Sequence, residues 1–102
     1  MNELFTNVRK WAEERNINNA EPSKQFLKVT EELGEIAEAM AKNNHEQLVD
    51  SLGDITVTLI ILAQQHNLNL EYCLNEAYDV IKNRKGKTIN GVFVKKEDLH
   101  DN

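Results

Sequence analysis

The sequence predicts an all-α protein, four helices closed by a small C-terminal β-hairpin. Three observations carry this: apolar residues recur every three or four positions in four successive segments, short polar stretches separate those segments, and an Asn-Gly pair near the end stands between two short β-prone runs. With 102 residues, 40% apolar and 28% charged, the composition is that of one globular domain, 1–102. The helical core is expected over about 2–86, and the hairpin and tail over 87–102.

Leu4, Phe5, Val8, Trp11 and Ala12 share helical spacing, so the first helix runs from about Asn2 to Arg15. Asn16 to Glu21 form a loop, after which Pro22 suits the opening turn of a second helix, where a missing N–H costs nothing. Phe26, Val29, Leu33, Ile36 and Met40 are its expected buried stripe, and it ends near Asn43 and Asn44. Asn44 with Gln47 three residues later reads as a capping box opening a third helix, which continues to about Gln65 or His66. Between Ile55 and Ala63 this helix is apolar on every face except for Thr56 and Thr58, so it must be covered all round. Three other helices cover only part of such a surface, which points to a homo-oligomer with helix three in the shared core. Asn67 to Asn69 lead into a fourth helix, with Leu70, Leu74, Ala77, Tyr78 and Ile81 as its expected buried stripe and Gly86 as its stop. Asn90-Gly91 between Thr88-Ile89 and Val92-Phe93-Val94 then specifies a type I′ hairpin.

Net charge is −5, which argues against a general nucleic-acid binder, because phosphate backbones are bound by clustered Lys and Arg. The charge is uneven. Residues 1–81 hold six basic and fourteen acidic residues, a balance of −8; residues 82–102 hold six basic and three acidic, a balance of +3. An acidic body with a basic end suggests a cation site and an anion site in one molecule. No apolar run reaches the roughly 20 residues of a membrane span, and Met1 to Arg15 is not signal-like, so no membrane partner and a cytoplasmic location are expected. The single cysteine, Cys73, is expected to be a small buried apolar residue.

The chemistry concentrates on helices two and three. Glu31-Glu32-Leu33-Gly34-Glu35 and Glu38 crowd one helix, and like charges three and four apart repel by about 0.2–0.5 kcal/mol per exposed pair. A solvated acidic face tolerates that for Glu31 and Glu38. Glu32, however, borders the apolar stripe beside Val29 and Ile36, with Glu35 one turn on. Asp54 shares a face with Val57, Thr58 and Ile61, where an unpaired carboxylate is costly, and helix three contains no Lys or Arg to pair with it. A hard divalent cation held by carboxylate oxygens answers both placements; an acidic surface is the alternative. Gly34 and Gly53 each lie inside a helix just before a carboxylate, at about 1 kcal/mol relative to alanine, which suggests a close approach of backbone or ligand.

The Glu31-Glu32-Leu33-Gly34-Glu35 segment, followed on the next helix by Ser51-Leu52-Gly53-Asp54, resembles the signature of the MazG-like all-α nucleoside triphosphate pyrophosphatases, Glu-Glu-x-x-Glu and Glu-x-x-Asp. Ile81-Lys82-Asn83-Arg84-Lys85-Gly86-Lys87 and Asn90 to Lys95 look like the tail of the small MazG-like proteins of phages and Gram-positive bacteria, so the resemblance runs from about Lys24 to Asp98. Serine at 51 departs from the pattern, and Asp50 is a candidate substitute, sharing a face with Asp54. The resemblance implies Mg²⁺-dependent hydrolysis of a nucleoside triphosphate, such as a dNTP or a non-standard NTP, to the monophosphate and pyrophosphate, with Mn²⁺ as an alternative ion. It implies Glu32, Glu35 and Asp54 as metal ligands with Asp50 or Ser51 at the fourth place, Glu31 or Glu35 as the catalytic base, and a dimer or tetramer. The competing reading, raised by Ser51, is a non-catalytic helical oligomer that binds a nucleotide or a protein.

Lys82, Arg84, Lys85 and Lys87 stand at the end of helix four, and half of all Lys and Arg residues fall between Lys82 and Lys96 without an acid among them. Some of these charges suit the helix dipole; Lys82 and Arg84 are favoured as a triphosphate clamp, with Lys85 beside them. Lys28, one turn before Glu32, is a weaker phosphate candidate, since a pair with Glu31 or Glu32 accounts for it. Trp11 and Phe5 are read as core, Thr58 as bonded to its own helix, and His45, His66 and His100 carry no assigned chemistry.

Overall fold

The computed structural model describes residues 2–99. His100 lies outside them. The elements follow the expected order: α1 (Asn2–Glu14), α2 (Pro22–Ala41), α3 (His45–Gln65), α4 (Leu70–Ile81), β1 (Gly86–Ile89), β2 (Val92–Lys95) and a 3₁₀ turn, Lys96–Asp98. The all-α class with a C-terminal hairpin is therefore observed. The chain forms two compact units, Met1–Leu70 and Glu71–Asn102.

In the first unit α3 is central, packed chiefly on α2 and also on α1. Three helices end in the same way. Asn16, Asn43 and Asn67 take left-handed φ of 59°, 51° and 60°, and the next residue's N–H reaches five residues back: Ile17 to Ala12, Asn44 to Ala39 and Leu68 to Ala63, each 2.9 Å. These are Schellman endings in which asparagine, tolerant of positive φ, replaces glycine. Pro22 opens α2, and the Asn44 side chain accepts the Gln47 N–H at 3.1 Å to cap α3. The turn between α2 and α3 is thus fixed from both sides.

The buried face of α2 differs from the expected stripe. Phe26, Leu33 and Met40 are 59%, 59% and 65% exposed, whereas Gln25 and Ala39 are buried and Val29, Glu32 and Ile36 half-buried. Two rows run along this helix about 80° apart. The inner one is selected by Ala39, small enough for close approach beside the turn, and by Gln25, whose Nε2 donates to the Thr58 carbonyl at 3.1 Å. Ser51, Thr58, Ile60, Ile61 and Ala63 of α3 close the core with Ala12 of α1. Val49 and Leu52 stay largely exposed on α3, as do Leu4 and Trp11 on α1. Trp11 is therefore not core; the Arg15 guanidinium stacks 4.3 Å from its ring centroid.

In the second unit α4 buries no residue: Leu74, Tyr78 and Ile81 of its expected stripe are 65%, 56% and 54% exposed. A twelve-residue helix and a two-stranded hairpin have no third layer with which to cover such a stripe. Cys73 is half-buried and free rather than fully buried. Gly86 does not stop α4, which ends at Ile81, five residues short of the expected limit of the helical core. It opens β1, pairing with Lys95, and a Cβ there would meet the Val94 carbonyl oxygen and the Phe93 ring. Close strand approach, not helix termination, is what requires glycine at this position. Asn90 and Gly91, at φ 51° and 81°, form the I′ turn as the sequence predicts. Among the described residues no helix is long and apolar enough to cross a membrane.

Candidate metal centre

Glu32 and Glu35 stand one turn apart on α2, and Asp54 faces them from α3. One carboxylate oxygen from each lies within 4.8 Å of the others. The geometry follows from the inner row of α2: packing Val29 and Ile36 against α3 carries Glu32 into the seam between the helices. Glu32 is half-buried, and its Oε2 is shielded from solvent with no hydrogen-bond partner. Its carboxyl is held above the usual carboxylate range, first by burial, then by the Glu35 charge and a hydrogen bond between the two carboxyl groups, and lastly by the charges of Asp54 and Asp50.

A buried carboxylate oxygen without a donor, in a ring of acids with no base, is a poor place for three negative charges and a good one for a hard cation with oxygen ligands. The residues therefore fit a divalent ion. Asp50 is exposed and stands outside the trio, bearing on Glu32 through its charge. Ser51, at the position of the signature glutamate, is only 1% exposed. Glu31 is exposed and also outside the trio. Glu38 is engaged elsewhere: Lys42 Nζ donates to it at 2.9 Å and holds its carboxyl below the usual range.

Lys28 is exposed, and among the described residues it makes no ion pair with Glu31 or Glu32. Lys82 is paired with Asp79 at 3.0 Å, whereas Arg84 and Lys85 line an open cavity in the second unit. The Thr58 hydroxyl donates to its own helix at the Ile55 carbonyl, 2.7 Å, as expected. His45 and His66 are exposed at the two ends of α3. Among the described residues none approaches Gly34 or Gly53: a Cβ at either would meet nothing within 4 Å. The expected close backbone approach is thus absent.

Four helices, a hairpin and a carboxylate trio spanning a helical pair define a small all-helical protein with an acidic centre. Residues 21–89 match the MazG nucleotide pyrophosphohydrolase domain, and the chain belongs to that family. It is also 40% identical over 70 residues to a Haemophilus phage HP1 protein described as an uncharacterized 18.2 kDa protein in the rep-hol intergenic region. That match covers 68% of this chain and 43% of the phage protein's length. No solved structure matches the chain.

Proposed function

We propose that the protein hydrolyses a nucleoside triphosphate, such as a dNTP or a non-standard NTP, to the monophosphate and pyrophosphate. The observation that carries this reading is the trio Glu32, Glu35 and Asp54, with its orphaned buried oxygen, inside a MazG domain. These three side chains would hold Mg²⁺ or Mn²⁺, with Asp50 or Ser51 at a fourth place, and a bound ion supplies charge neutralisation on the phosphate oxygens and a more acidic water. The chain's own groups do the rest. Glu31 or Glu35 accepts the proton of the attacking water; membership of the trio favours Glu35 for nearness, while freedom from it favours Glu31. Lys28 on α2, and Lys82, Arg84 and Lys85 after α4, are the candidate phosphate contacts; Lys82 also pairs with Asp79 at 3.0 Å, and Arg84 and Lys85 line the open cavity.

Residues 1–102 act in this reading as one domain, in the cytoplasm, as a homo-oligomer of two or four copies. The exposed row Phe26, Leu33 and Met40, together with Val49 and Leu52, supports self-association, since monomers rarely leave so much apolar surface uncovered. A non-catalytic nucleotide-binding role is the second reading, favoured by buried Ser51 where the signature has glutamate.

Pyrophosphate release measured over a nucleotide panel with and without Mg²⁺ separates the two. Turnover of at least one nucleotide is expected with the ion and none with chelator, and Asp54→Asn should remove it at unchanged helicity. Full activity of that variant would eliminate the proposed centre.

A further inference from the structure

The second unit contains a cavity of about 660 Å³ lined by Val80, Asn83, Arg84, Lys85, Lys96 and Glu97. Three cations and one acid give it an excess of positive charge. Neighbouring cations are neutralised locally, Lys82 by Asp79 at 3.0 Å and Lys95 by Asp98 at 3.9 Å. Arg84, Lys85 and Lys96 make no ion pair among the described residues, even though Glu97 lines the same cavity.

The fold holds these charges together. The Lys96 N–H donates to the Lys85 carbonyl at 2.7 Å, which carries the strand pairing one step beyond Gly86–Lys95 and sets Lys85 beside Lys96. Gly86, bare of a side chain, lets the strand ends approach closely enough for this. Like charges side by side across a ladder are destabilising, so the arrangement is one that a bound anion relieves. Arg84 adds a planar fork suited to phosphate oxygens, the two lysines add point charges, and Asn83 adds an amide donor.

We propose that this cavity is an anion site, formed wholly within the second unit, that binds inorganic pyrophosphate, the product of the proposed reaction. It adds Lys96 and Asn83 to the residues that bind phosphate. The identity of the anion rests on the pyrophosphohydrolase reading; the existence of an anion site does not. The volume lies within the range of small-ligand pockets and admits a diphosphate.

Titration calorimetry of inorganic pyrophosphate into the full chain, in EDTA and at low salt, tests this. Binding is expected without metal, weakening as salt is raised. Arg84→Ala and Lys96→Ala should each lower affinity about tenfold or more, with helicity unchanged because both side chains are exposed. Lys87→Ala, which removes an equal charge on β1 outside the cavity, and Asp54→Asn should both bind as the wild type does. Orthophosphate should bind more weakly than pyrophosphate. Absence of binding in EDTA, an equal loss in Lys87→Ala, or equal affinity for the two anions would overturn the proposal. A protein that binds pyrophosphate this way yet releases none from any triphosphate would retain the site and refute the hydrolase reading. One that hydrolyses without such binding would do the reverse.

Discussion

Replacing Glu32 by Gln should make the metal-free protein more stable while abolishing its response to metal. The carboxylate oxygens of Glu32, Glu35 and Asp54 lie within 4.8 Å of one another. Two unit charges at that separation repel by about 0.9 kcal/mol in bulk water and about 3.5 kcal/mol at an effective dielectric near 20. Glu35 is exposed, so the watery limit governs its pair, while the buried Oε2 of Glu32 moves the total upward. Removing both pairs should therefore stabilise by about 1–3 kcal/mol, or roughly 4–20 °C in Tm for a chain of this size. The pH dependence carries the sign. Because folding raises the Glu32 pKa, the folded state holds the proton more tightly than the unfolded state. Metal-free wild type then gains stability as pH falls through that raised value, and levels off below the ordinary carboxylate value. Gln mimics the protonated side chain, so the advantage of Glu32→Gln should be largest at pH 8 and shrink as the solution is acidified. Thermal melts in EDTA across this range, at one protein concentration and then with Mg²⁺, read the effect. The ion should raise the Tm of the wild type and leave Glu32→Gln unmoved. A variant melting at or below wild type in EDTA at pH 8, or responding equally to Mg²⁺, would refute the reasoning.

Gly34→Ala and Gly53→Ala should each raise metal-free stability by about 1 kcal/mol, because a methyl at either site meets nothing and glycine weakens a helix interior; a fall in Tm would reveal another surface pressing on these positions. Sedimentation at micromolar concentration should give two or four times the 11.7 kDa chain mass, and Leu33→Glu, in the middle of the exposed α2 row, should shift the protein to monomer. A wild-type monomer stable on dilution would show that this row needs no cover.

The sequence made element type and order legible because each boundary has its own local chemistry. Pro22 opens α2, Asn44 caps α3, and Asn90-Gly91 supplies the two positive φ values of the hairpin turn. A further signal lies at Asn16, Asn43 and Asn67, each two residues beyond a helix. Burial was less legible, since periodicity identifies an apolar row but not the surface that meets it. On α2 the expected stripe splits: Val29 and Ile36 turn inward together with Gln25, Glu32 and Ala39, while Phe26, Leu33 and Met40 stay exposed. The bond from Gln25 to the Thr58 carbonyl joins residues 33 apart in the chain, and no local pattern announces it.

The same distinction governs the candidate centres. Glu32 and Glu35 meet because they are one turn apart, a local fact, and Asp54 could be added because an acid on a basic-free helix needs a partner supplied from elsewhere. Lys28 and Lys82 are both candidates by charge, and only the fold separates them, leaving Lys28 without an ion pair among the described residues and turning Lys82 to Asp79. Spacing alone does not join Lys96 to Lys85, which stands eleven residues away. Yet a two-residue Asn90-Gly91 turn fixes the strand register, and counting outward from it pairs Ile89 with Val92, Gly86 with Lys95, and so brings Lys85 beside Lys96. A turn type read from two residues is thus enough to bring distant cations together, and a charge run read without its register understates the site it can build.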